Sequence, residues 1–222
     1  MAKTSTSGPM ESRWLAGAVV VAVVTLLAIL PGRVTLFPAW VPYALGMAMI
    51  VPMVGAVLNK NKGRWETIER ISAMIFFVVV VVGAIVLLFD LVQAMVMGTE
   101  KDELTGLELL ASSVGVWVTN VLAFSLLYWQ VDRGGPGARE NHVKVEPDWQ
   151  FTQSGCPADV PAGWQPAFVD YLYLGYSTAT AFSSTDALPL TSRAKLLMML
   201  ESTISLVTIV VVASRAINVL GN

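Results

Sequence analysis

Residues 168–189 read FVDYLYLGYSTATAFSSTDALP. The run from Phe168 to Phe182 is apolar for only about 15 residues, short of the ~20 that a helix needs to cross the hydrocarbon. It gives way to Ser183, Ser184, Thr185 and Asp186, then to Pro189, before a long apolar stretch begins at Lys195. A chain with this pattern is expected to dip into a membrane and return on the side it entered. Polar, non-helical backbone at membrane depth survives only where protein or water surrounds it.

Composition supports a membrane setting. The 222-residue chain is 55% hydrophobic and 14% charged, with a mean hydropathy of +0.65. A soluble chain cannot hide that much apolar surface in one core. Apolar stretches at residues 14–30, 37–58, 71–97, 104–129 and 195–220 predict about five transmembrane helices. Trp14 stands at an interfacial position. Lys3 and Arg13 precede the first run as in a signal peptide, but no small-x-small cleavage site follows, so the run is read as a retained helix. Pro42 and Pro52 predict a kinked second helix packed against neighbours. Residues 59–70 read as a charged loop, and 130–166 as a long Gly- and Pro-rich connection at solvent or headgroup level. The expected fold is an all-α integral membrane protein with about five transmembrane helices plus a re-entrant pore half-helix and a filter-like turn. Its parts are an N-terminal tail (1–13), a three-helix segment (14–97), and a module of outer helix, long loop, pore loop and inner helix (98–222).

Several function classes fall away. A net charge of −2, with no basic tract interleaved with aromatics, gives no surface for nucleic acid. Cys156 is the only cysteine and His142 the only histidine, so neither an intramolecular disulfide nor a zinc site is expected. There is no Gly-rich phosphate loop, no paired His/Glu metal motif and no Ser-His-Asp set. Catalysis and a bound cofactor are therefore not expected, and a transporter would show an internal repeat that the two halves lack.

Charge sets the expected orientation. An inside amino terminus puts Lys3, Arg13, Lys60, Lys62, Arg64, Arg70, Arg133, Arg139, Lys144, Arg193 and Lys195 on the cytoplasmic side. Only Arg33, Lys101 and Arg215 are then outside, a score of eleven to three. This places the protein in the cell membrane with a cytoplasmic amino terminus, and the pore loop then enters from the cytoplasm.

A short half-helix, a polar turn ending in Asp, a Pro-containing return and a long inner helix follow the order of a pore loop. With Ser177, Thr178, Thr180, Phe182 to Asp186, Pro189, Arg193 and Glu201 in that order, residues 104–220 resemble the pore module of two-transmembrane tetrameric cation channels. The chain also looks like an uncharacterised bacterial membrane protein family of unknown function, through Phe182-Ser-Ser-Thr185-Asp186 and Thr191-Ser192-Arg193. The channel resemblance implies a homotetramer in the bilayer that passes monovalent cations. Because Ser183-Ser184-Thr185 stands where Gly-Tyr-Gly belongs, it also implies a wider or differently coordinated, hydroxyl-lined filter that is non-selective or atypically selective.

Each candidate has a plainer reading beside it. Thr180, Phe182, Ser183, Ser184, Thr185 and Asp186 are read as filter or pore lining. Yet hydroxyls also serve as interhelical glue, Asp186 can cap backbone N–H groups, and Phe182 can plug an axis. Glu201, Thr203 and Thr208 are read as inner-helix cavity or gate. An ionisable group at the depth of Glu201 faces protein or water, because lipid exposure costs at least about 2.5 kcal/mol. Asp170 is expected to complement the start of the half-helix. Tyr171, Tyr173 and Tyr176 form a cuff around it or belong to the interfacial aromatic belt. Asp90 is assigned a structural place near a helix end. The rival function is a non-conducting scaffold or accessory subunit that retains the pore-module fold.

Overall fold

The computed structural model describes residues 13–29, 38, 40–58, 62–97, 106–141, 143–156, 158–161, 164–181 and 187–220. In chain order the elements are α1 (Arg13–Ile29), α2 (Val41–Leu58), α3 (Lys62–Met97), α4 (Gly106–Val131) and a 3-10 turn (Asp132–Gly134). They continue with α5 (Pro136–Glu140), β1 (Trp149–Phe151), α6 (Thr152–Gly155), α7 (Phe168–Ala181), β2 (Ala187–Pro189) and α8 (Ser192–Leu220). Among the described residues four stretches are long and apolar enough to cross a membrane: Val41–Leu58, Gly63–Asp90, Leu110–Gly134 and Ser192–Ser214. The protein is thus helical and membrane-embedded. At 17 residues, α1 is a shorter apolar helix.

One boundary differs from the sequence reading. Residues 62–70, expected as part of a charged loop, form the first turns of α3. Lys62, Arg64, Glu66 and Arg70 are good helix formers, and Glu66 and Arg70 are spaced i, i+4. Charge keeps these turns out of the hydrocarbon without stopping the helix. Asp90 is exposed and ends the apolar stretch.

Helix α4 is the centre, packing against α1, α3, α7 and α8. Within their apolar windows, α4 is 61% buried and α8 only 28%, so α8 turns most of its surface outward. Phe77 of α3 meets Phe124 of α4 edge-on at 5.0 Å, and Tyr128 continues this aromatic row to Trp149 at 4.8 Å. Several hydroxyls along the helices are satisfied locally. Thr25, Ser125, Thr208 and Ser214 each donate to the carbonyl one turn earlier, as an apolar surrounding requires.

Ion pairs gather the starts of α1 and α3 beside α5. The buried Arg13 at the start of α1 reaches Glu69 of α3 at 3.2 Å and Glu140 of α5 at 3.2 Å. Asn141 donates to Glu66 at 3.2 Å. At this charged end the connection after α4 is not an open loop but a folded cap. A left-handed turn through Arg133 (φ 52), Gly134 (φ 79) and Gly135 (φ 93) reverses the chain. Strand β1 then pairs antiparallel with β2, Trp149 opposite Pro189 and Phe151 opposite Ala187. Buried Trp149, Phe151 and Phe168 supply the apolar area that orders it, each stabilising by roughly 2–3 kcal/mol.

The cap is fastened by Asp132, whose side chain is fully buried. Its Oδ1 accepts from the Asp148 N–H at 2.8 Å, and its Oδ2 accepts from the Tyr171 hydroxyl at 2.6 Å. Asp132→Ala strands both donors in a buried site and is expected to lower the unfolding free energy by roughly 3 kcal/mol. Loss of helical signal during SDS titration of the purified protein measures it. Asp159→Ala, on the exposed side of the same cap, should stay within about 0.5 kcal/mol; equal effects from both would contradict the fastening role.

Candidate functional site

Helix α7 is the element around which the site is built. Asp170 Oδ2 accepts from the Ala167 N–H at 2.7 Å, capping the start as a carboxylate near a helix N-terminus should. Phe168 packs edge-on against Trp129 at 5.8 Å, and Tyr171 turns inward to Asp132. Arg139 lies over the rings of Tyr171 and Trp129 at 5.4 and 5.9 Å, and donates to the carbonyls of Asp132 at 2.7 Å and Trp129 at 2.9 Å. These contacts hold the first turn of α7 against the last turn of α4.

From there α7 runs between α4 and α8. Gly175 makes this possible. A Cβ on it would collide with Ser125 Oγ, and would sit 3.2 Å from the Val121 carbonyl and 3.4 Å from Glu201 Oε1. One turn on, the Ser202 hydroxyl of α8 donates to the Thr178 carbonyl at 3.2 Å. Tyr176 leans on Trp117 at 6.2 Å. The start of α7 and strand β2 therefore both lie at the capped end, while its later turns lie beside Glu201 and Ser202.

A polar seam crosses the same layer. The Tyr128 hydroxyl donates to Glu201 Oε2. Asn120 Nδ2 donates to Ser205 Oγ at 3.0 Å and leans toward the Glu201 carbonyl at 3.4 Å. Glu201, Ser205 and Thr208 follow i, i+4, i+7, so one face of α8 presents all three, buried, to the interior. Among the described residues no Lys or Arg pairs with Glu201, and its Oε1 and the Thr178 hydroxyl, both buried, have no hydrogen-bond partner there. Hydroxyls, an amide and one carboxylate oxygen can serve a monovalent cation or water. Among the described residues no group of three His, Cys, Asp or Glu is placed to hold a metal ion.

The start of α8 is set from the cap. Thr191 Oγ accepts from the Ala194 N–H at 3.2 Å and donates to Asp148 Oδ1 at 2.6 Å, while Arg193 pairs with Asp148 Oδ2. The Asp148 carbonyl accepts from Leu190 at 2.8 Å.

The sequence candidates are distributed unevenly over this geometry. Glu201 and Thr208 come together on the α4 side of α8, whereas Thr203 is exposed on another face and donates to its own helix at Met199. Thr180 is likewise exposed, with its hydroxyl on the Tyr176 carbonyl at 2.8 Å. Phe182, Ser183, Ser184, Thr185 and Asp186 lie outside the described residues. Of the tyrosines, Tyr173 and Tyr176 are exposed and Tyr171 is buried. Sequence reasoning missed Tyr128, Asn120, Asp132, Asp148 and Arg139 as site-forming residues. The Thr191-Ser-Arg193 stretch, with Thr at a helix start, was the one available signal for the Asp148 clamp.

Two measurements test the seam. A double-mutant cycle of Tyr128→Phe and Glu201→Gln should give a coupling of about 1 kcal/mol in SDS unfolding, typical of a polar contact between membrane helices. Gly175→Ala should destabilise by about 1–3 kcal/mol through overpacking. Gly17→Ala, whose Cβ meets nothing within 4 Å, should not destabilise; a harmless Gly175→Ala would refute the close approach of α7 to α4. Compared with protein-family models, with curated proteins and with solved structures, the chain matches none of them.

Proposed function

We propose that the protein is a channel-like pore of the cell membrane that passes monovalent cations without strict selectivity. In this reading α1 is a fifth crossing, α7 is a re-entrant half-helix, and residues 182–186 are the filter-like turn. The reading rests on one observation above all. Helix α7 is too short to cross, begins at the cap on Tyr171 and Asp132, passes inward beside Ser202, and is followed by β2 at the cap again. A helix in that position would aim the negative end of its dipole at the hydroxyl-rich turn that follows it in sequence, which favours a cation there. Four copies would bring four such turns and four Asp186 carboxylates to one axis, and the outward surface of α8 leaves room for neighbours. Tetrameric assembly is carried by the resemblance to cation-channel pore modules.

A second reading has its own support. Thr180, Thr203 and Thr208 spend their hydroxyls on their own helices, and Glu201 and Ser205 turn toward α4. Such packing suits a non-conducting scaffold or accessory subunit with a pore-module fold. Cation flux into liposomes separates the two. A conducting pore passes potassium and sodium, loses about tenfold or more of its flux in Asp186→Asn through the missing charge at the mouth, and gains flux in Phe182→Ala. Folded, oligomeric protein that stays silent in all three forms selects the scaffold.

Orientation has an internal probe. Cys156, the lone cysteine, is exposed on the cap, and the eleven-to-three charge distribution puts the cap in the cytoplasm. A membrane-impermeant maleimide should label it in inside-out vesicles and not in intact cells. The reverse pattern inverts the protein.

A further inference from the structure

Glu201 lies fully buried in the middle of the contact between α4, α7 and α8. Its Oε2 accepts from the Tyr128 hydroxyl, whereas Oε1 is closed off from solvent and meets no donor among the described residues. Gly175 of α7 takes the space beside Oε1. A Cβ there would stand 3.4 Å from Oε1, 3.2 Å from the Val121 carbonyl and in collision with Ser125 Oγ. Ser125 already donates to that carbonyl at 2.7 Å, so its hydroxyl hydrogen is spent. The surroundings of Oε1 are acceptors and glycine backbone, which do nothing for a negative charge.

No counter-charge arrives from the elements packed against α8, which are α3, α4, α7 and β2. On α4 the titratable residues are Tyr128 itself and Glu108, twenty positions earlier and about 30 Å along the helix. On α7 Asp170 caps its own start, the Tyr171 hydroxyl is given to Asp132, and Tyr173 and Tyr176 are exposed. The titratable residues of α3 are the exposed Asp90 and those before Ile71, and β2 has none. On α8 itself Lys195 and Arg193 stand six and eight positions before Glu201, about 9 and 12 Å along the axis, and Arg215 fourteen after it, about 21 Å away. Lys195 is exposed, and Arg193 pairs with Asp148.

A carboxylate sealed in a membrane-spanning layer with one donor and no cation is the costly species, whereas the neutral acid leaves only an imperfect set of hydrogen bonds. A proton is also the one cation that adds no volume to a closed site. We propose that Glu201 is a proton-binding site: α4, α7 and α8 pack around its neutral acid, and release of the proton parts α8 from its neighbours. The proton passes to the water that enters, and the carboxylate left behind is hydrated only while the helices stand apart. The contact of α8 with α7 is the one to yield. It holds a single hydrogen bond among the described residues, from Ser202 to the Thr178 carbonyl at 3.2 Å, and a buried Thr178 hydroxyl without a partner. The proton site stands whether or not the protein conducts.

Infrared difference spectroscopy of the full chain in liposomes at neutral pH, native against Glu201→Gln, tests the proton. The native protein should show the C=O stretch of a protonated carboxyl that Glu201→Gln lacks. Tyr128→Phe removes the donor to Oε2, so it should keep the band and move it to higher wavenumber, which a merely structural glutamate would not show. Coupling to packing is read from Thr208→Cys in a Cys156→Ser chain. Thr208 is buried on the same face of α8, and its hydroxyl serves only its own helix. One pH unit above the point at which the band is lost, maleimide should label this thiol about tenfold faster than in the matching Glu201→Gln chain, tenfold being the effect of one pH unit on a one-proton equilibrium. Absence of the band at neutral pH overturns the proposal, as does a band that Tyr128→Phe leaves unmoved. Equal labelling of the two chains after the band is lost also overturns it.

Discussion

A single buried carboxylate governs how the capped end of this protein is assembled. Asp132 stands where α4 leaves its last turn, and the left-handed backbone at Arg133, Gly134 and Gly135 folds the chain back over it. One of its oxygens takes the Asp148 N–H and fixes the approach to β1; the other takes the Tyr171 hydroxyl and fixes the first turns of α7. Asp148 then hands the constraint on, holding Thr191 and Arg193 at the start of α8. Three elements distant in sequence are thereby brought to the end of α4. At the buried Asp132 each of these hydrogen bonds is costly to break, because the donor left behind has no water to turn to.

With both starts fixed, α7 and α8 run inward side by side, and what they can bury is decided by α4. Gly175 allows contact with Ser125 and Glu201, and the polar groups that remain divide into two kinds. Hydroxyls such as those of Thr180, Thr203 and Thr208 close on their own helix and demand nothing from neighbours. Tyr128, Asn120, Glu201 and Ser205 need one another across the α4–α8 contact and so fix its register.

Positive charge at the capped end has two uses. Arg13, Arg139 and Arg193 enter the orientation count, yet each is engaged within the protein, with Glu69 and Glu140, with the turn after α4, or with Asp148. Arg70 is exposed. Cations that bind their own fold do not face phospholipid, so the field toward the bilayer is weaker than the residue count suggests.

Membrane embedding, the long apolar helices and the short length of α7 were legible in the sequence, because hydropathy and length are local quantities that the bilayer thickness converts directly into structure. Local signals also reached Asp170 at the start of α7 and Glu201 as an interior group. Tertiary structure alone decided the rest. Residues 62–70 extend a helix where charge suggested a loop, and the described residues between 132 and 167 make a cap where Gly and Pro suggested an open connection. Asp132 and Asp148 look like solvated loop charges until their partners arrive from Tyr171, Thr191 and Arg193. Hydrogen bonds between residues tens of positions apart leave no periodic trace in one chain, so their pairing is settled only when the helices pack.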